Sequence, residues 1–309
     1  MSIAFLFPGQ GSQQPNMLHT LPDHSAVMKT LHEASEVLNE NILLWDTDRA
    51  LKSTVAVQVA LLTAGVAAAR VLKAEGVKAH MAAGHSVGAF GAAVTANALD
   101  FRDAVALVKL RGELMEQAYP HGHGMGVVIG IQERKLLNII ESASKDGETM
   151  FIANKNSPDQ MTIAGSIAGI KRILAITQKE GARKAELLNV SVPSHCALLQ
   201  SVSSQLASAL QKITFRTPEI PYAGNRTARA LYDSEAIKED LALSVSHPVR
   251  WHEATSLFYE LGARLFIEMP PGHVLTDLAK NAFPAARAVS VSDSGIKTTC
   301  ILANRVKSI

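Results

Sequence analysis

A serine between two glycines is the part of this sequence whose residue types point most directly to chemistry. The segment Gly84-His85-Ser86-Val87-Gly88 has the Gly-x-Ser-x-Gly spacing of a nucleophile elbow. In such a turn a strand passes sharply into a helix, the serine backbone is strained, and the hydroxyl stands exposed at the helix N-terminus. The partial positive charge there favours a developing anion. The pattern predicts a nucleophilic Ser86; the alternative is a serine buried in a glycine-rich packing turn.

A serine nucleophile requires a base, and the sequence contains eleven histidines. His195 is the most suggestive, because an apolar segment that we predict to be a strand ends at Pro193, two residues before it. Ligands and reacting groups gather at strand ends in α/β folds. We therefore predict His195 as the base, and the alternative is a polar loop histidine without a catalytic role.

A glycine-rich turn follows the first predicted strand, which covers residues 3–7. The turn is Pro8-Gly9-Gln10-Gly11, and its glycines allow backbone N–H groups to point outward at a ligand. In serine acyl transfer one oxyanion donor belongs to the residue after the nucleophile, here Val87, and the other comes from a separate loop. We therefore predict that the N–H groups of Gln10 and Val87 form an oxyanion hole. An ordinary first-strand turn is the alternative.

In their order along the chain, these stretches resemble the malonyl-CoA:acyl carrier protein transacylase family. The likeness extends from about residue 3 to about residue 280, and an ordered series is far more specific than any single motif. The matching segments are Phe7-Pro8-Gly9-Gln10-Gly11-Ser12-Gln13, Gly84-His85-Ser86-Val87-Gly88, Leu110-Arg111-Gly112, Asn156-Ser157-Pro158 with Gln160, Val192-Pro193-Ser194-His195, and His247-Pro248-Val249 with Trp251.

The resemblance implies a role for each matching residue. Ser86 would be the nucleophile and His195 its base. Gln10 and Val87 would supply the oxyanion hole. The family uses a backbone carbonyl, rather than a carboxylate, to orient the histidine, and the matching position here is Ser244. Family members often carry glutamine there, and a backbone contact tolerates that change.

The resemblance also implies that Arg111 binds the malonyl carboxylate. Arginine suits this role, because its guanidinium donates two parallel hydrogen bonds to a carboxylate and so fixes both charge and orientation. An acetyl group would leave the buried cation unpaired and would be rejected. Without the resemblance, a surface helix arginine paired with Glu113 or Glu116 is the simpler interpretation.

The resemblance implies a ping-pong acyl transfer through a malonyl-serine ester. Malonyl-CoA would acylate Ser86, and the thiol of a phosphopantetheine-type arm on an acyl carrier protein would then take the malonyl group. We expect no metal and no bound cofactor. A serine thioesterase or esterase and a non-catalytic carrier-docking subunit are the alternatives. Arg111 and an inserted subdomain favour a carboxylated acyl group and a thiol acceptor, and the intact Ser86 and His195 favour an enzyme.

Two departures from the family pattern resemble the epsilon subunit of bacterial malonate decarboxylase. Ala89 stands where biosynthetic transacylases usually have glutamate, and Met269-Pro270-Pro271-Gly272 replaces the usual Gly-Pro-Gly segment. We therefore expect this chain to load the carrier subunit of malonate decarboxylase. The transacylase of fatty-acid synthesis is the alternative within the family.

The elements that must position these residues have α/β organisation. We predict an α/β-hydrolase-like large subdomain formed by residues 1–120 and 197–309. Between Arg111 and His195 the predicted order is βαββαβ, a ferredoxin-like small subdomain over residues 121–196. Its predicted strands are residues 125–131, 150–154, 160–164 and 184–190, and its helices are residues 133–145 and 167–180. This insertion predicts a cleft between the two subdomains.

Length and composition exclude several classes of protein. The 309 residues, 47% of them hydrophobic, are enough for a large core, and the net charge of +2 indicates no polyanion such as nucleic acid. Cys196 and Cys300 are too few for a disulfide framework and favour a reducing cytosol. The longest apolar run, Val55 to Ala69, is shorter than the ~20 residues of a membrane span and is interrupted by Gln58 and Thr63. We expect a cytoplasmic protein without a membrane partner.

Overall fold

Two β-sheets with their packed helices form the part of the chain that this computed structural model describes, residues 2–119, 121–143, 149–190 and 192–307. The strands are β1 (Ser2–Phe7), β2 (Met81–Gly84), β3 (His123–Ile129), β4 (Phe151–Ser157), β5 (Gln160–Ser166), β6 (Lys184–Leu187), β7 (Tyr222–Ala223), β8 (Ala230–Leu231), β9 (Ala263–Glu268) and β10 (Arg287–Ser290). The helices are α1 (Ser25–Leu38), α2 (Thr54–Ala74), α3 (Gly88–Thr95), α4 (Phe101–Ala118), α5 (Glu133–Ala143), α6 (Ile167–Lys179), α7 (Gln200–Leu210), α8 (Ser234–Leu243), α9 (Trp251–Glu260), α10 (Val274–Ala282) and α11 (Val291–Lys307).

The larger sheet has six strands in the order β10-β9-β1-β2-β7-β8. Its strands are parallel except for β8, which pairs antiparallel with β7. Helices cover both faces of a parallel sheet, which explains why β1 is apolar and buried from Ile3 to Phe7. Because β1 and β2 are in register at Phe7 and Gly84, the turns that follow them meet at one edge of the sheet.

Helix α2 is the main helix of the core. By length and composition alone it could cross a membrane, but 89% of its most apolar 18-residue window is buried inside the protein. The Ser53 side chain accepts a hydrogen bond from Ala56 N–H at the helix N-terminus, and Gly76, with φ of 82°, follows its end. The apolar run that contains Gln58 and Thr63 is therefore a core helix of this fold, and both polar side chains are buried.

The smaller sheet has four antiparallel strands in the order β4-β5-β3-β6, with α5 and α6 packed against it. This order and the βαββαβ connection are those of a ferredoxin-like unit, so the predicted fold class is confirmed. Strands β4 and β5 are both longer than predicted. Helix α5 is described as far as Ala143, and the predicted end of that helix at Lys145 lies outside the described residues, as does Pro120 at the predicted subdomain boundary.

Other predicted strand boundaries are also wrong, and β3 covers His123–Ile129 rather than residues 125–131. The apolar segment before the elbow predicts a strand over residues 77–83, but β2 begins at Met81, because Val77 N–H donates to the Leu72 carbonyl in the turn that ends α2. Strand β6 ends at Leu187 and does not reach Pro193. Beyond it the chain turns towards the large subdomain, where His195 N–H donates to the Val245 carbonyl. His195 is therefore held by this loop and not by the end of a strand.

Candidate active site

Ser86 lies in the turn between β2 and α3 and has a left-handed backbone, with φ of 55°. The flanking glycines are required by close approach. A Cβ at Gly84 would lie 2.0 Å from the Gly88 carbonyl oxygen, and a Cβ at Gly88 would lie 2.2 Å from the Phe7 carbonyl oxygen. No side chain fits at either position without moving backbone, so the predicted elbow geometry is present.

The Ser86 hydroxyl is hydrogen-bonded to the imidazole of His195, with 2.7 Å between Oγ and Nε2. The other ring nitrogen, Nδ1, lies 2.6 Å from the Ser244 carbonyl oxygen. Since a carbonyl only accepts, Nδ1 carries the proton and Nε2 is left free to accept the Ser86 proton. The structure thus links Ser86, His195 and the Ser244 backbone carbonyl by two consecutive hydrogen bonds. The third member of this series is a carbonyl and not a carboxylate.

His195 is 2% exposed, and its pKa is lowered to about 3. Burial is the largest cause, and the nearby Arg111 cation acts in the same direction, while the hydrogen bond to the Ser244 carbonyl opposes both. The ring is therefore neutral at physiological pH, which is the form that accepts a proton from a nucleophile.

Arg111 projects from the buried face of α4 into the same site and is 1% exposed. Its Nη1 donates to Gln58 Oε1 at 2.6 Å, and its Nη2 donates to Ser86 Oγ at 3.1 Å. The alternative of a surface arginine paired with Glu116 is wrong. Glu116 instead accepts hydrogen bonds from the Ser53 hydroxyl and Val55 N–H.

Among the described residues no carboxylate pairs with the charge of Arg111, and its buried Nε forms no hydrogen bond. Burial lowers the pKa of Arg111 to about 10, so the guanidinium remains a cation at neutral pH. A buried cation without a partner destabilises the folded protein unless an anion pairs with it. The site therefore favours a substrate with a negative group close to the atom that Ser86 attacks.

In the part of the chain that the structure describes, the backbone N–H groups of Gln10 and Val87 donate to no acceptor. Their two turns are held together, because His85 N–H donates to the Phe7 carbonyl at 2.9 Å. A Cβ at Gly9 would lie 2.7 Å from the His85 carbonyl oxygen, so this close approach also requires glycine. Two free donors beside the nucleophile are the arrangement that an oxyanion hole needs.

A cavity of about 60 Å³ contains the reacting groups. It lies between the two sheets and is lined by Gln10, Gln58, His85, Ser86, Met115, Met125, Asn154, Leu188, Val190, Val192, Ser194 and His195. A larger groove of about 380 Å³ lies at the other end of α3, near Thr95, and shares none of these residues.

Three contributors to the site were missed by the sequence predictions. Gln58 binds the Arg111 guanidinium, and its signal was a lone amide inside the apolar run of α2. Asn156 pairs with His85, with 3.0 Å between Oδ1 and Nε2, and lay in a matching motif without an assigned role. Asn225 binds the backbone of the elbow, and no sequence pattern pointed to it.

Known proteins of one family match this chain over nearly its whole length. The family model described as "Acyl transferase domain" matches residues 4–297. The Malonyl CoA-acyl carrier protein transacylase of Haemophilus influenzae is 39% identical over 299 residues, which cover 94% of this chain and 95% of that protein. The solved malonyl CoA-acyl carrier protein transacylase of Coxiella burnetii has a TM-score of 0.94 and 35% identity, and the match covers 99% of this chain and 98% of that one. A type II PKS acyl-carrier protein in complex with its malonyl-transacylase matches with a TM-score of 0.92 and 36% identity, covering 99% of this chain and 100% of that chain.

Proposed function

The chain belongs to the malonyl-CoA:acyl carrier protein transacylase family of acyl transferase domains, and from that membership we propose that it moves malonyl from malonyl-CoA to the thiol of an acyl carrier protein. The observation that supports this most directly is the Arg111 guanidinium, which is buried, has no carboxylate partner among the residues that the structure describes, and lies 3.1 Å from Ser86 Oγ. A malonyl group attached to Ser86 presents a carboxylate within a few bonds of that oxygen. The substrate itself then supplies the missing anion.

In the first half-reaction, Ser86 Oγ attacks the thioester carbonyl of malonyl-CoA while His195 Nε2 takes its proton. The N–H groups of Gln10 and Val87 bind the oxyanion of the tetrahedral intermediate. Collapse breaks the carbon–sulfur bond, and the departing CoA sulfur takes the proton back from His195. The Ser244 carbonyl, 2.6 Å from Nδ1, stabilises the transient imidazolium and keeps its orientation.

In the second half-reaction, the thiol of the carrier's phosphopantetheine-type arm occupies the place that CoA has left. His195 takes the thiol proton, and the sulfur attacks the malonyl-serine ester. The oxyanion is bound again by the same two N–H groups, and Ser86 leaves with the proton from His195. The acceptor differs from the donor only in what lies beyond the pantetheine, so one site serves both halves.

For the acceptor we propose an acyl carrier protein of the fatty-acid synthesis type. The relatives that match over most of the chain are named for the acyl carrier protein. The prediction of a malonate decarboxylase carrier subunit rested on Ala89 and the segment that begins at Met269. Ala89 and Met269 are fully buried, so their side chains contact no acceptor, but the segment continues through Gly272 to the exposed His273. Burial therefore does not decide between the two carriers.

The test is acylation and transfer with purified protein. Malonyl-CoA should add one malonyl mass to the intact chain, and the mass should move to a phosphopantetheinylated fatty-acid carrier protein on mixing. Comparison of kcat/KM for that carrier and for a malonate decarboxylase carrier subunit identifies the acceptor. A clear preference for the second carrier would overturn the acceptor proposal and leave malonyl transfer standing, whereas release of free malonate to water without transfer would indicate a thioesterase.

A further inference from the structure

Asn225 connects the loop after β7 to the nucleophile elbow by its side chain. Its Oδ1 accepts a hydrogen bond from Ser86 N–H at 3.0 Å, and its Nδ2 donates to the Gly84 carbonyl at 2.8 Å. The residue is 3% exposed, so water does not compete for these bonds. One carboxamide therefore holds the backbone on both sides of His85, at the point where the strand turns into α3.

The Asn225 side chain binds the backbone at the point where the pairing of β2 with β7 has already ended. The parallel ladder between β2 and β7 ends at the pair Ala83–Ala223, one residue before Gly84. Ser86 beyond it has φ of 55°, a conformation that a residue with a Cβ adopts only when its surroundings hold it there. The Asn225 side chain supplies the bonds that the ladder lacks, at the residues whose backbone sets the direction of the Ser86 side chain.

Asn225 is itself fixed by a buried carboxylate on α8. Asp240 is 2% exposed, and its Oδ2 accepts from Asn225 N–H at 3.0 Å and from the Tyr222 hydroxyl at 2.8 Å. Its Oδ1 accepts from Arg226 N–H at 3.0 Å. Three donors converge on one carboxylate, so the loop that presents Asn225 has a single hydrogen-bonded arrangement.

We propose that Asn225 is a positioning residue for the acyl transfer, and that Asp240 with Tyr222 is the anchor that sets its place. In the described structure Asn225 forms no hydrogen bond to His195 or Arg111, and in this proposal it acts only by fixing the direction from which Ser86 Oγ attacks. The proposal deepens the function proposed above and rests on it wherever malonyl-CoA is the reagent. Its central test uses a fluorophosphonate, which phosphonylates an activated serine whatever the natural acyl group is.

The first variant is Asn225→Ala, which removes both contacts to the elbow. A small misplacement of a reacting group costs roughly 100-fold in rate, so the rate of phosphonylation and the kcat for malonyl transfer should both fall by about that factor. The KM for malonyl-CoA should change little, because Arg111 and Gln58 are untouched. This division between kcat and KM separates positioning from a general loss of structure.

Ser203→Ala is the matched control, because it removes one buried hydrogen bond to α8, from Ser203 Oγ to the Ala242 carbonyl, without contact to the elbow. It should lower the melting temperature and leave both rates unchanged. Tyr222→Phe removes one hydroxyl from the anchor and should give a rate between those of wild type and Asn225→Ala. It also keeps the proposal testable if Asn225→Ala does not fold.

Rates of both Asn225→Ala and Tyr222→Phe within twofold of wild type would overturn the proposal. So would a rate loss in Ser203→Ala equal to that in Tyr222→Phe at equal melting temperature, because the effect would then be loss of stability alone. If the fluorophosphonate rates fall as expected but wild type takes no malonyl from malonyl-CoA, the positioning role stands and the proposed acyl group is wrong.

Discussion

The elbow that presents Ser86 and the loop that presents His195 each hold a catalytic residue in a strained backbone conformation, but the interactions that hold it differ. Both residues have a left-handed backbone, with φ of 55° and 63°. The elbow is held by steric exclusion at Gly84 and Gly88 and by the Asn225 side chain. The His195 loop is held through backbone carbonyls, those of Val245 and Ser244. The steric constraint leaves a pattern in the sequence, namely the two glycines, whereas hydrogen bonds to backbone carbonyls leave none.

The largest effect should come from removing the nucleophile from the elbow. Ser86→Ala leaves the turn intact but takes away the only hydroxyl that His195 Nε2 contacts in the described structure. We expect no covalent malonyl adduct by intact mass after incubation with malonyl-CoA. Full labelling of this variant would show that another residue forms the ester. The fold should be unchanged, which circular dichroism and the melting temperature check.

Removing the base from the opposite loop should cost less, because the elbow, Arg111 and the oxyanion donors remain. His195→Ala should slow acylation by ~10²–10⁴, the usual contribution of general-base catalysis. Single-turnover mixing with malonyl-CoA measures the rate directly. A loss smaller than tenfold would mean that His195 is a structural member of its loop and that the proton goes elsewhere.

Arg111 donates a hydrogen bond to Ser86 of the elbow and lowers the pKa of His195 in the opposite loop. Its removal therefore affects both regions. Truncating one partner of a buried charge pair costs about 2–5 kcal/mol, which is roughly 30- to several-thousand-fold in rate. Arg111→Ala should therefore lower kcat/KM for malonyl-CoA by that range while acetyl-CoA becomes a better relative substrate.

Arg111→Lys is the matched control, because it keeps the charge and loses the planar pair of donors, and it should fall between wild type and Arg111→Ala. The measurement is kcat/KM for both substrates across the three proteins. Equal losses for malonyl-CoA and acetyl-CoA in Arg111→Ala would make the arginine structural, and carboxylate selection would then come from elsewhere in the cavity.

The difference between the two regions also explains which parts of the molecule the sequence predicted. The βαββαβ order of the small subdomain followed from hydrophobic patterning, and Ser86 followed from its flanking glycines. The strand predicted to end at Pro193 stops at Leu187, because partners distant in sequence decide where pairing ends. Ser244 contributes a carbonyl that every residue type has, so only the resemblance to a family pointed to it.

Asn225 shows the same limit for a side chain. It lies 139 residues from Ser86 in the sequence and contacts it only because β7 pairs with β2 in the folded sheet. A lone asparagine after a two-residue strand has no distinguishing pattern. Gln58 did have one, since an amide in the middle of the buried face of α2 requires a polar partner. The pattern predicts that a partner exists, but only the fold identifies it as Arg111.

The smallest expected effect concerns pH and tests how the two regions are coupled. An ordinary histidine base, with a pKa near 6.5, would lose activity as pH falls below that value. The pKa of His195 is lowered to about 3, by burial first and by the Arg111 cation second. His195 in the free enzyme should therefore stay neutral, and the rate of fluorophosphonate attack on Ser86 should show no loss between pH 7.5 and pH 5.

In Arg111→Gln the cation is absent but burial, the larger cause, remains. The pH at which the rate is halved should then be higher than in wild type but still below the ordinary histidine pKa near 6.5. Rates measured during brief exposure to each pH give this midpoint. The same lowered pKa also makes the free energy of unfolding depend on pH. The unfolded chain binds a proton at His195 near pH 6.5 and the folded chain does not, so the lowered pKa reduces the free energy of unfolding as pH falls from about 6.5 towards 3. A wild-type rate that halves near pH 6.5 while the protein stays folded would show that the pKa of His195 is not lowered. An Arg111→Gln midpoint equal to that of wild type would show that the Arg111 cation does not act on His195.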